Sequence, residues 1–333
     1  MTTILYAERM YQDDTVEREV FGPDVRILMH GAPTLAALAP ADCAAADGLM
    51  LFRNWCAEAD LDRFPRLRAI VRMGVGYDRI DRAACAARGI LVCNVPDYGT
   101  MEVADHAIAL TLALRRGLAL HHDAQRADPP AGWEPIATPL VRRLDVQTFG
   151  VVGLGRIGTA AALRAKALGF RVAFFDPFRP NGTDRALGLT RAATLDALLA
   201  QSDVLSLHAP LTRATRGLIG ARELALLPRD AVVVNTARGP VLDLDALADA
   251  LRSGHLAGAG LDVLPEEPPR AAPALLAAYR AREPWLAGRL IVTPHVAYHS
   301  PEAWADIRRK SAETMAAALL TDRPQNVIAP EEG

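Results

Sequence analysis

The sequence has few cysteines, few aromatic residues and no excess of charge of either sign. Its four cysteines, Cys43, Cys56, Cys85 and Cys93, lack CxxC spacing, so we expect reduced, partly buried thiols rather than a disulfide framework or a metal site. A formal net charge of -2 gives no electrostatic reason to bind nucleic acid or an anionic membrane. No apolar run is long enough to span a membrane, and Glu8 interrupts the apolar start that a signal peptide needs, so a cytoplasmic protein is expected.

The chain is long enough for two domains of ordinary globular composition. It has 333 residues, of which 51% are hydrophobic and 23% are charged. Short β-forming runs alternate with longer amphipathic segments along nearly the whole length, which predicts an α/β fold with parallel sheets covered by helices. The expected architecture is two Rossmann-like or flavodoxin-like domains.

The strand and helix patterns form two series joined by a long helical segment. The predicted strands are Thr3–Tyr6, Val25–Met29, Gly48–Phe52, Ala69–Val71, Ile90–Cys93, Thr148–Val152, Val172–Phe175, Val204–Leu207, Ala231–Val234, Ala259–Asp262 and Leu290–Val292. The predicted helices include Trp55–Phe64, Arg79–Arg88, a single long helix Glu102–His121 with Thr100 as N-cap, and the tail Pro301–Leu320, while Asp128–Pro139 is a predicted loop. We expect the tail to return to the first series. The prediction is therefore a discontinuous first domain (1–99 and 299–333) with a second domain (100–298) inserted into it.

A glycine-rich segment begins the second series. Gly153, Gly155 and Gly158 form a GxGxxG motif, with Arg156 and Ile157 between the last two, after the apolar run FGVV and before a helix-compatible run. In this context the first glycine permits a tight turn, the second lets the backbone approach a pyrophosphate, and the third lets helix and strand pack closely. The pattern predicts a dinucleotide site.

The acid at the end of the next predicted strand indicates which dinucleotide binds. Asp176 lies about 20 residues after the glycines, where a carboxylate accepts hydrogen bonds from the ribose hydroxyls and repels a 2′-phosphate. NAD is therefore favoured over NADP, so the inserted domain (100–298) is the predicted NAD-binding domain and the discontinuous one (1–99 and 299–333) is the predicted substrate domain. The neighbouring Arg179 keeps NADP open as the less favoured alternative.

Three polar segments follow later predicted strands. They are VVVNTARGPV with Arg238, GLDVLPEEPP with Asp262, Glu266 and Glu267, and IVTPHVAYHS with His295. Open α/β sheets bind ligands at the carboxyl ends of their strands, so these segments are candidates for a site. Taken singly, an Arg, a Glu or a His on a loop is more often a solvated surface residue.

Together these motifs make the chain resemble the D-isomer-specific 2-hydroxyacid dehydrogenases. The resemblance runs from about Val71 to Ala317 and includes RMGVGYDRID, NVPDYGTMEVADHA, GLGRIG, the ARG of NTARG, LDV…EEP and TPH in the family order. It is closest to the C-terminal-binding-protein-like branch, through VCNVPDYG, FFDP and the SP-containing turn after TPH. The resemblance implies NAD-linked interconversion of a small 2-oxo acid and its D-2-hydroxy acid by a homodimer.

The resemblance also implies roles for individual residues. Arg238 would bind the substrate carboxylate and polarise the neighbouring carbonyl, since its planar fork suits bidentate binding. His295 would be the general acid and base, and Glu267 would orient its imidazole. Glu267 is preferred over Glu266 because it directly precedes Pro268, as in the family's EP motif.

Further residues match the family's substrate and cofactor positions. The N–H groups of Val75 and Gly76 would bind the substrate carboxylate, and Tyr298 would line the substrate pocket. The remaining cofactor residues would be Thr100, Leu211, Thr212, Thr236, Ala237 and Asp262.

Several alternatives stay open at this point. Because the resembled branch includes corepressors, an NAD(H)-responsive scaffold is a second hypothesis, and a phosphite or formate oxidiser of the same architecture is a third. His106 and His208 are interpreted as packing or capping residues, and His299 is left ambiguous. Residues 268–294 form a longer segment than is common in the family, and it either covers the site or lies outside it.

Overall fold

The computed structural model describes residues 1–130, 132–321 and 323–330. Residue 131 of the predicted loop Asp128–Pro139 and residues 322 and 331–333 of the predicted substrate domain lie outside this range. The chain divides into two compact units, unit 1 (1–99 and 299–333) and unit 2 (100–298). Among the described helices, none combines the length and the hydropathy that crossing a membrane requires.

Twelve strands form the two sheets of the described chain. In chain order they are β1 Thr2–Tyr6, β2 Val25–Met29, β3 Gly48–Leu51, β4 Ala69–Arg72, β5 Leu91–Asn94, β6 Thr148–Val152, β7 Arg171–Phe175, β8 Thr190–Arg191, β9 Val204–Leu207, β10 Ala231–Asn235, β11 Leu256–Leu261 and β12 Leu290–Val292. All the strand pairs within the sheets are parallel. Parallel pairing requires crossover connections, which the helices provide.

Thirteen α-helices lie between and after the described strands. They are α1 Thr15–Phe21, α2 Pro40–Ala45, α3 Glu58–Leu61, α4 Arg82–Ala87, α5 Thr100–Arg115, α6 Leu118–Arg126, α7 Arg156–Ala167, α8 Thr183–Leu187, α9 Leu195–Leu199, α10 Ala221–Leu226, α11 Leu244–Arg252, α12 Ala274–Arg280 and α13 Pro301–Leu319. Where they cover both faces of a sheet, the strands are buried throughout and read as continuous apolar runs.

Unit 1 contains a five-stranded sheet in the order β2-β1-β3-β4-β5. The strand order reverses between β1 and β3, which makes that position the topological switch point of the sheet. The predicted tail helix is confirmed as α13, which packs on β3, β4, β5 and α1. A Cβ on Gly48 would lie 2.7 Å from Met315 Sδ, so α13 packs very closely on β3.

Unit 2 contains a seven-stranded sheet in the order β12-β11-β10-β9-β6-β7-β8. The order reverses between β6 and β9, as in a Rossmann fold. Two apolar clusters bury its strands; one includes Val151, Phe174 and Val234, and the other includes Leu205 and Leu261. The predicted α/β class with two parallel, Rossmann-like sheets is confirmed.

The single long helix predicted over Glu102–His121 is wrong. Gly117 adopts φ +60°, a left-handed conformation that stops the first helix, so α5 and α6 are separate. Thr100 is the first residue of α5 rather than its N-cap, and its buried Oγ1 has no hydrogen-bond partner among the described residues. The Ala-rich and Leu-rich composition of this segment predicts one continuous helix, whereas the conformation of Gly117 divides it.

Other helix boundaries were predicted too wide. The segment Trp55–Phe64 contains only α3, and Arg79–Arg88 contains only α4, whose N-cap Asp81 accepts a 2.9 Å hydrogen bond from Ala84 N. The two-residue strand β8 was missed, because two residues carry no readable alternation. The helix-like part of residues 268–294 forms α12, which packs against α11.

Candidate active site

The glycine motif forms a tight turn between β6 and α7, and its three glycines have different surroundings. Gly153 has φ +88°, a backbone conformation that is strained in any residue with a side chain. A Cβ on Gly158 would lie 2.1 Å from Gly153 O, which explains the close packing of helix and strand. By contrast, a Cβ on Gly155 would meet no atom within 4 Å, so the backbone is open there. This is the geometry that a dinucleotide pyrophosphate needs.

Residues 156 and 157 begin α7, so the amide groups that follow the open glycine lie in the first turn of a helix. Those N–H groups have no partner within the helix, and the helix dipole favours an anion beside them. Arg156 is exposed and Ile157 is partly buried. The two predicted cofactor residues therefore lie at the helix N-terminus.

Asp176 follows β7 and is held beside the glycine turn. Its Oδ2 accepts a 2.8 Å hydrogen bond from Leu154 N, and its Oδ1 accepts one of 2.9 Å from Phe178 N. Arg179 Nε lies 3.4 Å from Oδ2. The carboxylate thus faces the turn, with a half-exposed guanidinium beside it.

Arg238 lies in the loop after β10, and Asn235 organises this loop. The Asn235 side chain, which is 1% exposed, accepts a 3.0 Å hydrogen bond from Ala237 N and donates one of 3.0 Å to Arg238 O. A Cβ on Gly239 would lie 1.9 Å from Leu264 C, so this loop packs directly on the segment that leads to Glu267. The buried Oγ1 of Thr236 has no hydrogen-bond partner among the described residues.

Asp262 organises the loop that carries His295. Its Oδ1 accepts hydrogen bonds from Thr293 Oγ1 at 2.6 Å and Val296 N at 2.9 Å, and its Oδ2 accepts one from Ala297 N at 3.0 Å. The backbone N–H of His295 also donates to Asp262 O at 2.8 Å. A buried carboxylate with this many donors holds the loop in one conformation.

His295 and Glu267 form the central pair of the candidate site. His295 Nδ1 lies 2.6 Å from Glu267 Oε2, and Glu267 Oε1 accepts a 2.9 Å hydrogen bond from Leu264 N. The His295 side chain is 34% exposed, so the ring reaches solvent while its partner is more buried. His295 also has φ +54°, a sparsely populated conformation for a residue with a side chain, and such conformations cluster at active sites.

The pKa of the Glu267 carboxyl depends on both His295 and Arg238. Burial acts to raise the pKa of its carboxyl, but the hydrogen bond and charge of His295, the Leu264 N–H and the charge of Arg238 outweigh burial and lower that pKa. The charge of Arg238 thus acts on the same carboxyl group to which His295 is hydrogen-bonded.

Of the other predicted residues, Tyr298 lies beside His295, and the remainder lie in the loops after β9 and β4. The Tyr298 ring is 6.3 Å from the His295 ring, edge to face. Leu211 and Thr212 lie in the loop after β9, where Thr212 N donates to Thr215 Oγ1 at 2.8 Å. In unit 1, Val75 and Gly76 lie in the loop after β4.

The structure also shows supporting residues that the motifs did not reveal. His106 Nε2, from α5, lies 3.0 Å from Thr293 Oγ1 and 3.7 Å from Asp262 Oδ1, so His106 belongs to the network that holds the His295 loop. In unit 1, Asn94 Nδ2 donates to Val75 O at 2.6 Å. The signal that could have found Asn94 and Asn235 is an asparagine at the last position of a buried strand.

The other two histidines considered in the sequence lie elsewhere. His208 Nε2 lies 2.8 Å from Ser206 Oγ, and burial lowers the pKa of His208 to about 4, consistent with a packing residue. The His299 ring is 6.4 Å from the Trp304 ring within unit 1.

Comparison with known proteins supports a family assignment. Residues 108–297, more than half of the chain, match the model described as D-isomer specific 2-hydroxyacid dehydrogenase, NAD binding domain. The chain is 35% identical over 272 residues to a glyoxylate reductase from Thermococcus litoralis, covering 80% of this chain and 78% of that relative. The chain belongs to the D-isomer-specific 2-hydroxyacid dehydrogenase family.

Two solved structures show how far this family likeness extends. D-lactate dehydrogenase from Aquifex aeolicus, complexed with NAD and lactic acid, matches with a TM-score of 0.81 and 26% identity over 99% of this chain and 100% of that one. An NADPH-dependent glyoxylate/hydroxypyruvate reductase from Sinorhizobium meliloti, complexed with NADP and malonate, matches with a TM-score of 0.82 and 30% identity over 99% and 97%. This chain is accordingly an NAD(P)-dependent 2-hydroxyacid dehydrogenase that acts on 2-oxo and 2-hydroxy acids.

The finer resemblance to the corepressor branch is not supported. The named family members are reductases and a dehydrogenase, and none is a corepressor. A scaffold role therefore has no observation in its favour.

We predict that the melting temperature of the Glu267→Gln variant falls less than that of the wild type as the pH is lowered. The pKa of the Glu267 carboxyl is lower in the folded state than in the unfolded state, where it is about 4.3. The ionised carboxylate therefore adds to the free energy of unfolding above that pH, and this addition is lost as the pH falls through the folded-state pKa. Hydrogen bonds to charged groups contribute about 1.5–3 kcal/mol, so the variant should melt below the wild type at pH 7. Thermal melts from pH 7 to pH 3 should show this gap closing as pH falls. If the difference in melting temperature stayed constant over this pH range, the ionised Glu267 carboxylate would not be the group that stabilises the folded state.

Proposed function

We propose that this dehydrogenase reduces a small 2-oxo acid, such as glyoxylate or hydroxypyruvate, with NADH as the preferred cofactor. The observation that carries the proposal is the 2.6 Å contact between His295 Nδ1 and Glu267 Oε2. The imidazole is partly exposed, and it lies at the carboxyl edge of a Rossmann-like sheet. A carboxylate on Nδ1 fixes the ring's orientation and leaves Nε2 to exchange a proton with substrate.

The catalytic roles follow from the chemistry of the three central groups. Bound dinucleotide supplies the hydride that reduces the carbonyl carbon. His295 donates a proton from Nε2 to the carbonyl oxygen during reduction and removes it during oxidation. Glu267 stabilises the protonated imidazole, and Arg238 binds the substrate carboxylate and polarises the carbonyl.

Substrate recognition is proposed to involve three further residues. The N–H groups of Val75 and Gly76 bind the carboxylate, supported by the way Asn94 holds Val75 O. Tyr298 lines the substrate pocket, since its ring packs edge to face against that of His295.

Cofactor binding is proposed to use the whole carboxyl edge of the unit 2 sheet. The open position at Gly155 and the N-terminus of α7 fit a pyrophosphate. Asp176 binds the ribose hydroxyls and favours NAD over NADP. The remaining cofactor residues are Thr100, Gly153, Arg156, Ile157, Gly158, Leu211, Thr212, Thr236, Ala237 and Asp262. A homodimer is proposed from the family resemblance alone.

A substrate panel tests this proposal directly. Purified protein should oxidise NADH in the presence of glyoxylate or hydroxypyruvate, and kcat/KM with NADH should exceed that with NADPH by at least about tenfold, or 1.4 kcal/mol. Formate and phosphite, assayed with NAD, serve as negative substrates. Turnover of those compounds, or a preference for NADPH, would overturn the proposed substrate or cofactor respectively.

A further inference from the structure

Residues 323–330, which we call the C-terminal strap, lie along the outer edge of β5 in unit 1. The strap runs antiparallel to the strand. Ile328 N donates to Val92 O at 2.8 Å, and Asn94 N donates to Asn326 O at 3.2 Å. Because β5 is the last strand in the order of its sheet, the strap pairs backbone groups of an edge strand.

The strap is short and exposed, so polar contacts hold it in place. Pro324 and Pro330 lack a backbone N–H group and cannot donate to the strand, and the Val327 side chain is 48% exposed. Asn326 has φ +55°, a left-handed conformation that asparagine adopts more readily than most residues. Its Nδ2 donates to Thr314 Oγ1 on α13 at 3.3 Å. The backbone carbonyl of Asn326 is thereby aimed at β5.

Asn94 connects the strap to the turn after β4. This last residue of β5 is 7% exposed, and its backbone N–H is the one that donates to Asn326 O. Its side-chain Nδ2 donates to Val75 O at 2.6 Å, and the next residue, Val95, donates from its N–H to Gly74 O at 3.0 Å. A shift of the strap would therefore move the amide group that holds the carbonyl of Val75.

Arg82 provides a second connection from the strap to the same turn. Arg82, the first residue of α4, donates from Nη1 to Ala329 O at 2.5 Å. Its Cζ lies 4.7 Å from the centroid of the Tyr77 ring, a cation–π distance. Tyr77 directly follows Gly76 in the chain. The strap is thus joined to both sides of the Val75–Gly76 turn.

We infer that the C-terminal strap positions the Val75–Gly76 turn and thereby sets the affinity for the substrate carboxylate, with Asn94 and Arg82 as positioning residues. The inference rests on the proposed function, in which the N–H groups of Val75 and Gly76 bind that carboxylate. Two backbone N–H groups bind one anion well only when their loop is fixed in the binding geometry. An exposed segment with few apolar contacts opens locally at a lower free energy than the core, so the order of the turn depends on the strap.

Two substitutions release the strap at different points. Ile328→Pro removes the N–H group that donates to Val92 O, and Arg82→Ala removes the contacts with Ala329 O and with the tyrosine ring. Each should raise the KM for glyoxylate or hydroxypyruvate about two- to tenfold, the effect expected of one hydrogen bond. The kcat and the Kd for NADH should each stay within about twofold of the wild type, because the proposed cofactor residues lie in unit 2. Gln325→Ala, an exposed residue of the strap itself, is the matched control and should keep the wild-type KM. An equal weakening of NADH binding would overturn the inference, since it would show a general loss of structure.

Hydrogen exchange keeps this inference separate from the proposed reaction. In the chain without substrate, the peptide that covers residues 74–77 should exchange its amide hydrogens at least about threefold faster in Ile328→Pro than in the wild type or in Gln325→Ala. Arg82→Ala leaves the backbone pairing of the strap intact, so it provides the same comparison if the proline variant fails to fold. Wild-type exchange in both strap variants, or a wild-type KM in both, would overturn the inference. Absence of turnover with every 2-oxo acid would instead overturn the proposed function, and the exchange rates would still decide whether the strap orders the turn.

Discussion

Replacing His295 with alanine should lower kcat for 2-oxo acid reduction by about 10²–10⁴-fold, the range expected when a general acid is removed. The affinity for NADH should stay within about twofold of the wild type, because the imidazole acts on substrate rather than on the dinucleotide. The Glu267 carboxylate would lose its partner at 2.6 Å, so a loss of stability of about 1.5–3 kcal/mol should accompany the loss of rate. Steady-state kinetics and fluorescence titration with NADH measure the two effects separately.

Two further variants make the result for His295 specific. His295 has φ +54°, a conformation that asparagine tolerates well, so His295→Asn tests the lost imidazole without added backbone strain. His122→Ala removes an exposed histidine from α6 and should leave kcat at the wild-type value. A His295→Asn variant that retained wild-type kcat, or that lost NADH binding and turnover equally, would remove His295 from the proposed reaction.

Substituting Gly155 with alanine should raise the Kd for NADH by at least about tenfold, or 1.4 kcal/mol, without unfolding the protein. Gly155 has φ -73° and ψ -160°, which alanine adopts readily, and the added Cβ would meet no protein atom within 4 Å. The methyl group would instead occupy the space into which the pyrophosphate must come. Calorimetric titration with NADH and a thermal melt of the free protein check both parts.

Two other glycines supply the controls for this variant. Gly158→Ala would place a Cβ 2.1 Å from Gly153 O, so it should lower the melting temperature as well as NADH affinity. Gly31→Ala, in unit 1, adds a Cβ with only one neighbour at 4.0 Å and should affect neither measurement. If Gly155→Ala bound NADH as tightly as the wild type, the pyrophosphate would not approach this glycine.

Much of the candidate site was predictable because motifs mark the ends of strands. The glycine motif, Asp176, Arg238, Glu267 and His295 each follow an apolar run, and parallel strands bring their carboxyl ends to one edge of a sheet. The site's supporting residues were less visible. Thr293 and His106 act through hydrogen bonds to partners distant in sequence, so no local sequence pattern predicts their role.

Helix boundaries were less predictable than strands. The apolar pattern of α5 continues past Gly117 into α6, and only the left-handed conformation at Gly117 separates the two helices. Strand cores gave stronger signals, since buried parallel strands are continuous apolar runs with little tolerance for other residues.

By itself, the sequence determined the class of fold and the dinucleotide motif, because strand patterns and short motifs depend on neighbouring residues. Through a family resemblance it also marked three candidate chemical groups. Only the tertiary structure decided how those groups are held: Asp262 orders the loop of His295, and Glu267 lies 2.6 Å from the imidazole. The reason is physical. Each of these contacts joins residues far apart along the chain, and its geometry exists only after the strands have packed side by side.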